Sequence, residues 1–222
     1  MSYTALITRE VDVTSPLARG CRQAGINLLG QSVIETKSVH FATPLPQAAW
    51  IFFSSAQAVK FFFEQKPTLL AGTKLAAIGR GTARQLARFG EVSFVGSAAD
   101  TTVVAQEFAS LAKDEHVLFP VSDQSVRTVQ QALPAAQAFD IVCYTTRSKP
   151  APVGHCDVVV FSSPSNVIAY FEANTLADHQ AVIAFGSTTA ARLAHFTSKP
   201  VAVLGALDDE SILAAIKSAL GC

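Results

Sequence analysis

The chain has 222 residues, of which 50% are hydrophobic and only 15% are charged. This composition can bury a sizeable core in one large domain or two small ones, and it excludes a disordered chain. The 17 basic residues balance the 17 acidic ones, so no net charge attracts nucleic acid or an anionic membrane. Any anionic ligand must therefore be held by local donors.

Neither a membrane span nor a secretory signal is expected. No apolar run approaches the roughly 18 residues that a spanning helix needs, and the first residues, MSYTALITREVDV, lack a basic region before an apolar stretch. The cysteines form no CxxC pair and no metal-ligand spacing, so we interpret them as reduced thiols of a cytoplasmic protein. They are Cys21, Cys143, Cys156 and Cys222.

The first predicted elements form one βα unit. Residues 4–8 are typical of a short strand, and Arg9 follows at its carboxyl end. Ser15 and Pro16 match a helix N-cap followed by proline, and Gly25 matches the residue after a helix end. Apolar and polar residues then alternate over residues 33–41, which predicts an extended, half-exposed segment.

Four βα units are predicted between this extended segment and a second one at residues 139–146. Their strands are expected at residues 50–53, 74–78, 92–95 and 116–119, with helices that begin near Ser55, Thr82, Thr101 and Ser125. Three more units follow, with strands at residues 157–161, 181–185 and 201–204 and helices near Pro164, Thr188 and Asp209. The continuously apolar strands indicate parallel sheets covered by helices on both faces.

Three sequence blocks occur twice. Phe-Ser-Ser ends an apolar run at residues 53–55 and again at residues 161–163. In the second pair of blocks Gly79 matches Gly186, and in the third pair Gly96 matches Gly205. The offset between matched residues lies between 107 and 109 in all three pairs. Three matched blocks at a nearly constant offset indicate a duplicated domain.

The βα unit at the start of the chain has no neighbouring units to form a domain with. The three units after the second extended segment are one fewer than the four units of the middle set. We therefore predict one α/β domain from residues 1–32 and 148–222, and a second domain from residues 43–137. The segments at residues 33–42 and 138–147 would form a two-stranded linker. The alternative is a single doubly wound sheet of eight strands.

Six motifs span nearly the whole chain: ITR at residues 7–9, FSSAQAV at 53–59, AIGRGTA at 77–83, CYTT at 143–146, FSSPSNV at 161–167 and FGSTTA at 185–190. This ordered set resembles the uroporphyrinogen-III synthase family. The chain departs from the family pattern at Gln57, where Asn is usual, and near residues 34–35, where a proline is common. The resemblance implies two flavodoxin-like parallel-sheet domains, one of them discontinuous, joined by a two-stranded linker with the site in the inter-domain cleft.

The resemblance also implies a cyclase that acts on hydroxymethylbilane, a linear tetrapyrrole with an acetate and a propionate on every ring. The substrate would lose water and close to uroporphyrinogen III through a spiro intermediate, with its last ring, ring D, inverted. The resemblance implies no cofactor and no metal, and we expect a monomer with no nucleic-acid or membrane partner.

Tyr144 matches the tyrosine that the family places in the second linker segment, which implies that it is the general acid. A phenol with a pKa near 10 stays protonated at neutral pH and can donate. The alternative is that Tyr144 only packs on the hinge. Its neighbour Cys143 should point to the opposite face of the strand, so a nucleophilic role for Cys143 is not expected.

The predicted substrate-binding residues lie at the carboxyl ends of strands, where open parallel α/β sheets bind ligands. They are Arg9, Ser54, Ser55, Gly79, Thr82, Ser162, Ser163, Ser165, Gly186, Thr188 and Thr189. Helices begin there, so free N–H groups and the helix dipole would favour carboxylates. The alternative is that the hydroxyl side chains only cap helices, although a cap can also donate to a ligand.

The other reactive-looking residues are interpreted as structural. His155-Cys156-Asp157 lies at the entry of a strand and lacks further ligands, so no metal site is predicted. Gly79-Arg80-Gly81 matches no phosphate-loop spacing, and residues 61–63 (Phe-Phe-Phe) are expected to pack inside the fold rather than stack on bases. Arg127 is expected in a helix, and the sequence does not decide whether its side chain reaches the cleft or solvent. A non-catalytic two-lobed binder of an anionic small molecule is the alternative function.

Overall fold

The computed structural model describes residues 3–97, 100–205 and 208–222. Parts of the third repeated block, residues 98–99 and 206–207, lie outside this range. The chain divides into two compact units. Unit 1 comprises the residues up to 35 and those from 147 onward, and unit 2 comprises residues 36–146.

The strands of the described residues are, in chain order, β1 (Tyr3–Ile7), β2 (Ile26–Gly30), β3 (Ile34–Ser38), β4 (Trp50–Phe53), β5 (Lys74–Ala77), β6 (Val92–Val95), β7 (Val117–Ser122), β8 (Ala138–Ser148), β9 (Val158–Phe161), β10 (Ala181–Phe185) and β11 (Val201–Leu204). The helices are α1 (Pro16–Gln23), α2 (Ala56–Glu64), α3 (Arg80–Leu86), α4 (Thr101–Ala112), α5 (Pro164–Phe171), α6 (Gly186–Leu193) and α7 (Asp209–Leu220). Within the described residues, no helix has both the length and the apolar character needed to cross a membrane.

The sheet of unit 1 is parallel throughout, in the order β11-β10-β9-β1-β2. Numbered along the unit, this order is 5-4-3-1-2, which is the flavodoxin-like arrangement. Strand β9, with the sequence VVVF, is buried along its whole length. Its burial follows because α1 and α7 cover one face of the sheet and α5 and α6 cover the other.

The sheet of unit 2 has the order β3-β8-β7-β4-β5-β6, and the strands from β8 to β6 run parallel. Side chains of β4 alternate between its two faces, as the pleat of a strand requires. Ile51 and Phe53 pack with α2 and α3, whereas Trp50 and Phe52 pack with α4. The apolar run that signalled this strand is therefore buried on both sides.

The two units share one strand order once the chain is shifted circularly. Strands β9, β10, β11, β1 and β2 of unit 1 take the places of β4, β5, β6, β7 and β8 of unit 2. The duplication predicted from the 107–109 residue offsets is thus present in the topology. The chain forms two sheets, and the alternative of a single eight-stranded sheet is wrong.

The predicted N-terminal βα unit is confirmed. Helix α1 begins at Pro16, and the Ala18 N–H donates to Oγ of the N-cap Ser15 at 3.1 Å. Gly25 follows the helix end with φ of +71°, a left-handed conformation that glycine adopts without strain.

Each unit contains a fifth parallel strand that the apolar pattern did not reveal. Strand β2 pairs with β1, and β8 pairs with β7. Only Ile26 of β2 is buried, so this edge strand lacks the continuous apolar signal of a core strand. Strand β3 lies within one segment predicted as a linker, and β8 covers the other and extends one residue beyond it, to Ser148; the two strands are neighbours in the sheet of unit 2.

The helix predicted near Ser125 does not form. Residues Gln130–Ala132 and Ala135–Gln137 make only short 3-10 turns. Arg127 has φ of +62°, which an α-helix of L-residues cannot contain. Leu133 is extended because it precedes Pro134, whose ring disfavours the helical conformation at the preceding residue. Arg127 therefore lies in a loop, where it pairs with Asp140.

Candidate functional site

Two predicted site residues meet in unit 2, where β4 ends and where the pairing of β8 with β7 ends. The Tyr144 side chain is only 8% exposed, and its ring stacks on Phe61 with centroids 5.2 Å apart. Its hydroxyl lies 3.2 Å from Ser55 Oγ. Ser55 is the N-cap of α2, because its Oγ accepts the Ala58 N–H at 3.0 Å. The phenol is thus held both by its ring and by its hydroxyl.

The surroundings of Tyr144 keep its phenol protonated. Burial raises the pKa of the phenol, the hydrogen bond with Ser55 opposes this rise, and Cys143 and Asp123 add to it. The net direction is upward from an ordinary value of 10.0. At neutral pH the phenol is therefore protonated and can donate a hydrogen bond.

Cys143 and Tyr144 pack on the same side of β8, and the expectation of opposite faces is wrong. Cys143 Sγ lies 3.9 Å from the Ala58 carbonyl oxygen of α2, and the Tyr144 ring stacks on a residue of the same helix. The cause is a bulge, because Val121 pairs with Val142 while the next residue, Ser122, pairs with Tyr144. Burial raises the pKa of Cys143 to about 12, so its thiol is neutral and a poor nucleophile.

The turn after β7 holds polar residues that the sequence analysis missed. Asp123 Oδ1 accepts the Thr146 N–H at 3.1 Å and lies 3.3 Å from Ser122 Oγ. The strand was predicted over residues 116–119, whereas β7 continues to Ser122. Pro120 is tolerated since β7 pairs with β4 only through Val117 and Leu118. Open α/β sheets bind ligands where the strand order reverses, and in unit 2 this point lies between β7 and β4. The strand order would therefore have identified the turn after β7.

The equivalent edge of unit 1 lies between β1 and β9. The Ser162 N–H donates to Thr8 Oγ1 at 3.0 Å, and Ser162 Oγ donates to the Thr8 carbonyl oxygen at 3.0 Å. Asn166 Nδ2 donates to Oγ of Ser162 at 3.1 Å and of Ser163 at 2.7 Å. Ser162 thus joins the two strands, whereas the hydroxyl of Ser163, the N-cap of α5, only accepts in these bonds. Thr8 and Asn166 were not predicted.

Arg9 places a partly dehydrated cation at the same edge of unit 1. Its guanidinium carbon lies 5.5 Å from the centroid of the Phe185 ring. Its Nε is buried and has no hydrogen-bond partner among the described residues. Burial lowers the pKa of Arg9 from 12.5, and the charge of Asp209 offsets part of that change. The guanidinium stays charged at neutral pH and retains unused donor capacity for an anion.

Helices α3 and α6, which are equivalent in the two units, begin without a side-chain cap. Their N-caps are Gly79 and Phe185, so each helix starts two residues before the expected Thr82 or Thr188. Thr82 and Thr189 are equivalent and only 7% and 1% exposed, so their hydroxyls offer little surface to a ligand. The first N–H groups of each helix lack a side-chain partner and are suited to a carboxylate.

The remaining predicted binding residues also lie near helix starts. Ser54 and Thr188 are exposed, and Ser165 and Gly186 are half-buried. Gly186 has φ of +75°, so the chain turns sharply from β10 into α6 at a position that favours glycine.

The three consecutive phenylalanines of α2 pack within unit 2, as predicted. Phe61 and Phe62 are buried, and the ring of Phe63 stacks on that of Phe89 with centroids 4.0 Å apart. Their rings are therefore used by the fold, and they offer no platform for bases.

One comparison with known proteins identifies a family. Residues 15–213 match the family described as Uroporphyrinogen-III synthase HemD. A comparison with curated proteins gave no match.

Two solved structures resemble the chain over nearly its full length. The uroporphyrinogen-III synthetase of Helicobacter pylori has 16% identity and a TM-score of 0.70, with 97% of this chain and 99% of that chain covered. A mutant uroporphyrinogen III synthase of Thermus thermophilus has 17% identity and a TM-score of 0.62, with 99% of each chain covered. At such identities the likeness shows the fold alone. The family match, which covers most of the chain, shows that the chain belongs to the uroporphyrinogen-III synthase family.

Proposed function

We propose that the protein cyclises hydroxymethylbilane to uroporphyrinogen III, with loss of water and inversion of ring D through a spiro intermediate. The observation that carries this proposal is the pair formed by Tyr144 and Ser55. Their hydroxyl groups lie 3.2 Å apart, and burial raises the pKa of the phenol. Family membership supports the reaction class, and this pair supplies a proton donor for its first step.

Tyr144 acts on the terminal hydroxyl of the substrate. The phenol gives its proton to that oxygen, the carbon–oxygen bond breaks, water leaves, and the substrate becomes a protonated azafulvene. A general acid of this kind typically contributes about 10²–10⁴-fold to the rate. Ser55 Oγ orients the phenol for the transfer. The proton that the macrocycle loses in the last step restores the phenol, so the protein ends in its starting state.

The later steps form and break bonds within the substrate. The substituted carbon of ring D attacks the azafulvene methylene, the resulting spiro centre opens at its other bridge, and the ring closes in the inverted orientation. The protein holds the chain of rings while this happens. Cys143 makes no covalent bond to the substrate, since its thiol is buried and neutral.

The substrate's carboxylates bind at the carboxyl ends of the parallel strands. Arg9 contributes a guanidinium, Ser163 a hydroxyl proton, and the first turns of α3 and α6 contribute N–H groups without side-chain caps. Such donors fit acetate and propionate groups, because helix N-termini favour anions without requiring a high net charge. This agrees with equal numbers of acidic and basic residues in the chain.

The reaction loses water and closes a ring without net oxidation or reduction, so the proposed mechanism requires no electron carrier. We also propose that the protein acts as a monomer in the cytoplasm. Three of its four cysteines, Cys21, Cys143 and Cys156, are buried as free thiols, which suits a reducing compartment.

The decisive test is the product formed from enzymatically prepared hydroxymethylbilane. The cyclase yields uroporphyrinogen III, whereas the substrate alone closes spontaneously to isomer I. The two isomers are separated chromatographically after oxidation. Binding of the substrate with isomer I as the sole product would support the alternative, a non-catalytic binder of an anionic small molecule.

A further inference from the structure

A histidine–carboxylate cluster lies at the amino ends of β9 and β10 in unit 1. His155 and Asp157 precede β9, and His179 precedes β10. One ligand atom from each residue lies within 4.8 Å of the others. The His155 and His179 rings are stacked, with centroids 5.2 Å apart, and His155 Nε2 lies 3.7 Å from Asp157 Oδ1. We propose that these three side chains form a Zn²⁺ site.

The sequence could not reveal this cluster, because its third member comes from a different loop. His155 and Asp157 alone lack further ligands, and His179 lies 24 residues after His155. Neighbouring parallel strands bring their amino ends to the same edge of the sheet, so the loops before β9 and β10 meet. Two imidazoles and a carboxylate are the ligands of many Zn²⁺ sites that leave a fourth position to water.

The backbone that carries the three ligands is already fixed. Asp157 Oδ2 accepts the Thr4 N–H at 2.8 Å, which orients the carboxylate and leaves Oδ1 for the metal. The Ala181 N–H donates to the Asp157 carbonyl oxygen at 2.9 Å, and Gln180 Nε2 donates to the Cys156 carbonyl oxygen at 3.0 Å. These bonds tie the two loops together, as the supporting contacts of metal sites do.

The side chains need only small adjustments to bind. Ligand atoms about 2.0–2.1 Å from a tetrahedral zinc lie about 3.4 Å apart, against the present upper separation of 4.8 Å. His155 and His179 are exposed, while Asp157 is half-buried and is held by the Thr4 N–H. Cys156 is not among the ligands, because it is fully buried and its Sγ accepts a hydrogen bond from Gln180 Nε2 at 3.2 Å.

The site is separate from the proposed chemistry. Asp157 precedes β9 and Ser162 follows it, and the five residue steps between them span about 16 Å in an extended strand. Bound Zn²⁺ would connect the starts of two neighbouring strands. A metal that binds only the folded protein raises its stability according to the metal concentration relative to Kd. The expected effect is therefore on stability and not on the rate of cyclisation.

The test is a calorimetric titration of chelator-treated protein with Zn²⁺, and in parallel with Mg²⁺. We expect one equivalent of Zn²⁺ to bind and Mg²⁺ to give no signal, since Mg²⁺ prefers oxygen ligands in octahedral geometry. His179→Ala and Asp157→Asn should each weaken Zn²⁺ binding at least about tenfold. Asp157→Asn keeps an oxygen acceptor for Thr4, and His195→Ala, at another exposed histidine, should bind Zn²⁺ like the unaltered protein.

The absorption spectrum of Co²⁺ substituted for Zn²⁺ provides a second readout. Histidine and carboxylate ligands give visible bands without the strong near-ultraviolet bands of a cobalt–thiolate bond. Thiolate bands would place the metal at the exposed Cys222 and overturn the proposal. Undiminished Zn²⁺ binding by His179→Ala, or no binding by the unaltered protein, would overturn it equally.

Discussion

The hydroxyl groups of Tyr144 and Ser55 lie 3.2 Å apart, although the two residues are separated by 89 positions in the chain. This contact joins β8 to the start of α2, the helix that follows β4. Because Ser55 also caps that helix, the orientation of the phenol depends on the hydroxyl that begins α2.

Removing only the phenol hydroxyl, by Tyr144→Phe, should lower kcat roughly tenfold or more. The ring keeps its stacking on Phe61, so the change isolates the proton-donor role. KM should change little, because the donor acts mainly in the transition state. Steady-state kinetics with hydroxymethylbilane measure both quantities. Tyr170→Phe, at a buried tyrosine of unit 1, is the control. Full kcat and pure isomer III from Tyr144→Phe would make Tyr144 a packing residue.

Ser55→Ala should lower both stability and kcat. Loss of an N-cap costs about 1 kcal/mol of stability, and loss of the hydroxyl also removes the partner of Tyr144. Ser15→Ala is the matched control, since Ser15 caps α1 in the same way without touching the proposed acid. Urea denaturation should show similar losses in the two variants, and kinetics should show a fall in kcat for Ser55→Ala alone. Equal kcat values in the two variants would remove Ser55 from the mechanism.

Arg9→Gln should raise KM about tenfold or more with a smaller effect on kcat. A hydrogen bond to a charged group contributes about 1.5–3 kcal/mol, and the buried Nε of Arg9 has no partner among the described residues to compensate. Arg19→Gln is the control, because Arg19 is exposed and donates to the Thr14 carbonyl oxygen. An unchanged KM for Arg9→Gln, with thermal stability retained, would show that Arg9 does not bind the substrate.

The free energy of unfolding should fall as pH rises above about 9. Burial raises the pKa of Cys143 from 9.0 to about 12, and burial also raises that of Tyr144. The folded protein thus holds these protons more tightly than the unfolded chain. The stability that these groups contribute is fully present below their pKa in the unfolded chain, and it is lost as pH rises towards their pKa in the folded protein. Each group lowers the free energy of unfolding by at most about 1.4 kcal/mol per pH unit.

Cys143→Ala tests this pH dependence by urea denaturation at several pH values. The variant loses some stability at every pH because a small cavity forms, but its stability should fall less steeply above pH 9. Cys222→Ala, at an exposed cysteine, should keep the steep fall. The same slope in Cys143→Ala and in the unaltered protein would contradict the assignment to Cys143.

The sequence predicted the elements whose signals are local. Ser15, Pro16 and Gly25 mark α1 at both ends because capping and left-handed turns depend on a few adjacent residues. The repeated Phe-Ser-Ser marked β4 and β9, since strands buried on both faces are continuously apolar.

Other features depend on pairing between distant segments and could not be predicted. The bulge that puts Cys143 and Tyr144 on one side exists only because β8 slips against β7. Asp123 gains its place from the extension of β7 to Ser122, which depends on pairing with β8. Thr8 and Asn166 gain their roles from contacts with Ser162, which follows another strand.

The discontinuity of unit 1 has a consequence for biosynthesis. Strand β1 lies between β2 and β9, and its residues Ala5, Leu6 and Ile7 are fully buried. During translation, the parallel strands β4 to β8 all emerge from the ribosome before β9 does. Unit 2 can therefore fold co-translationally while β1 waits with one edge open. A chain cut before β9 would keep that open apolar edge, which is a template for aggregation.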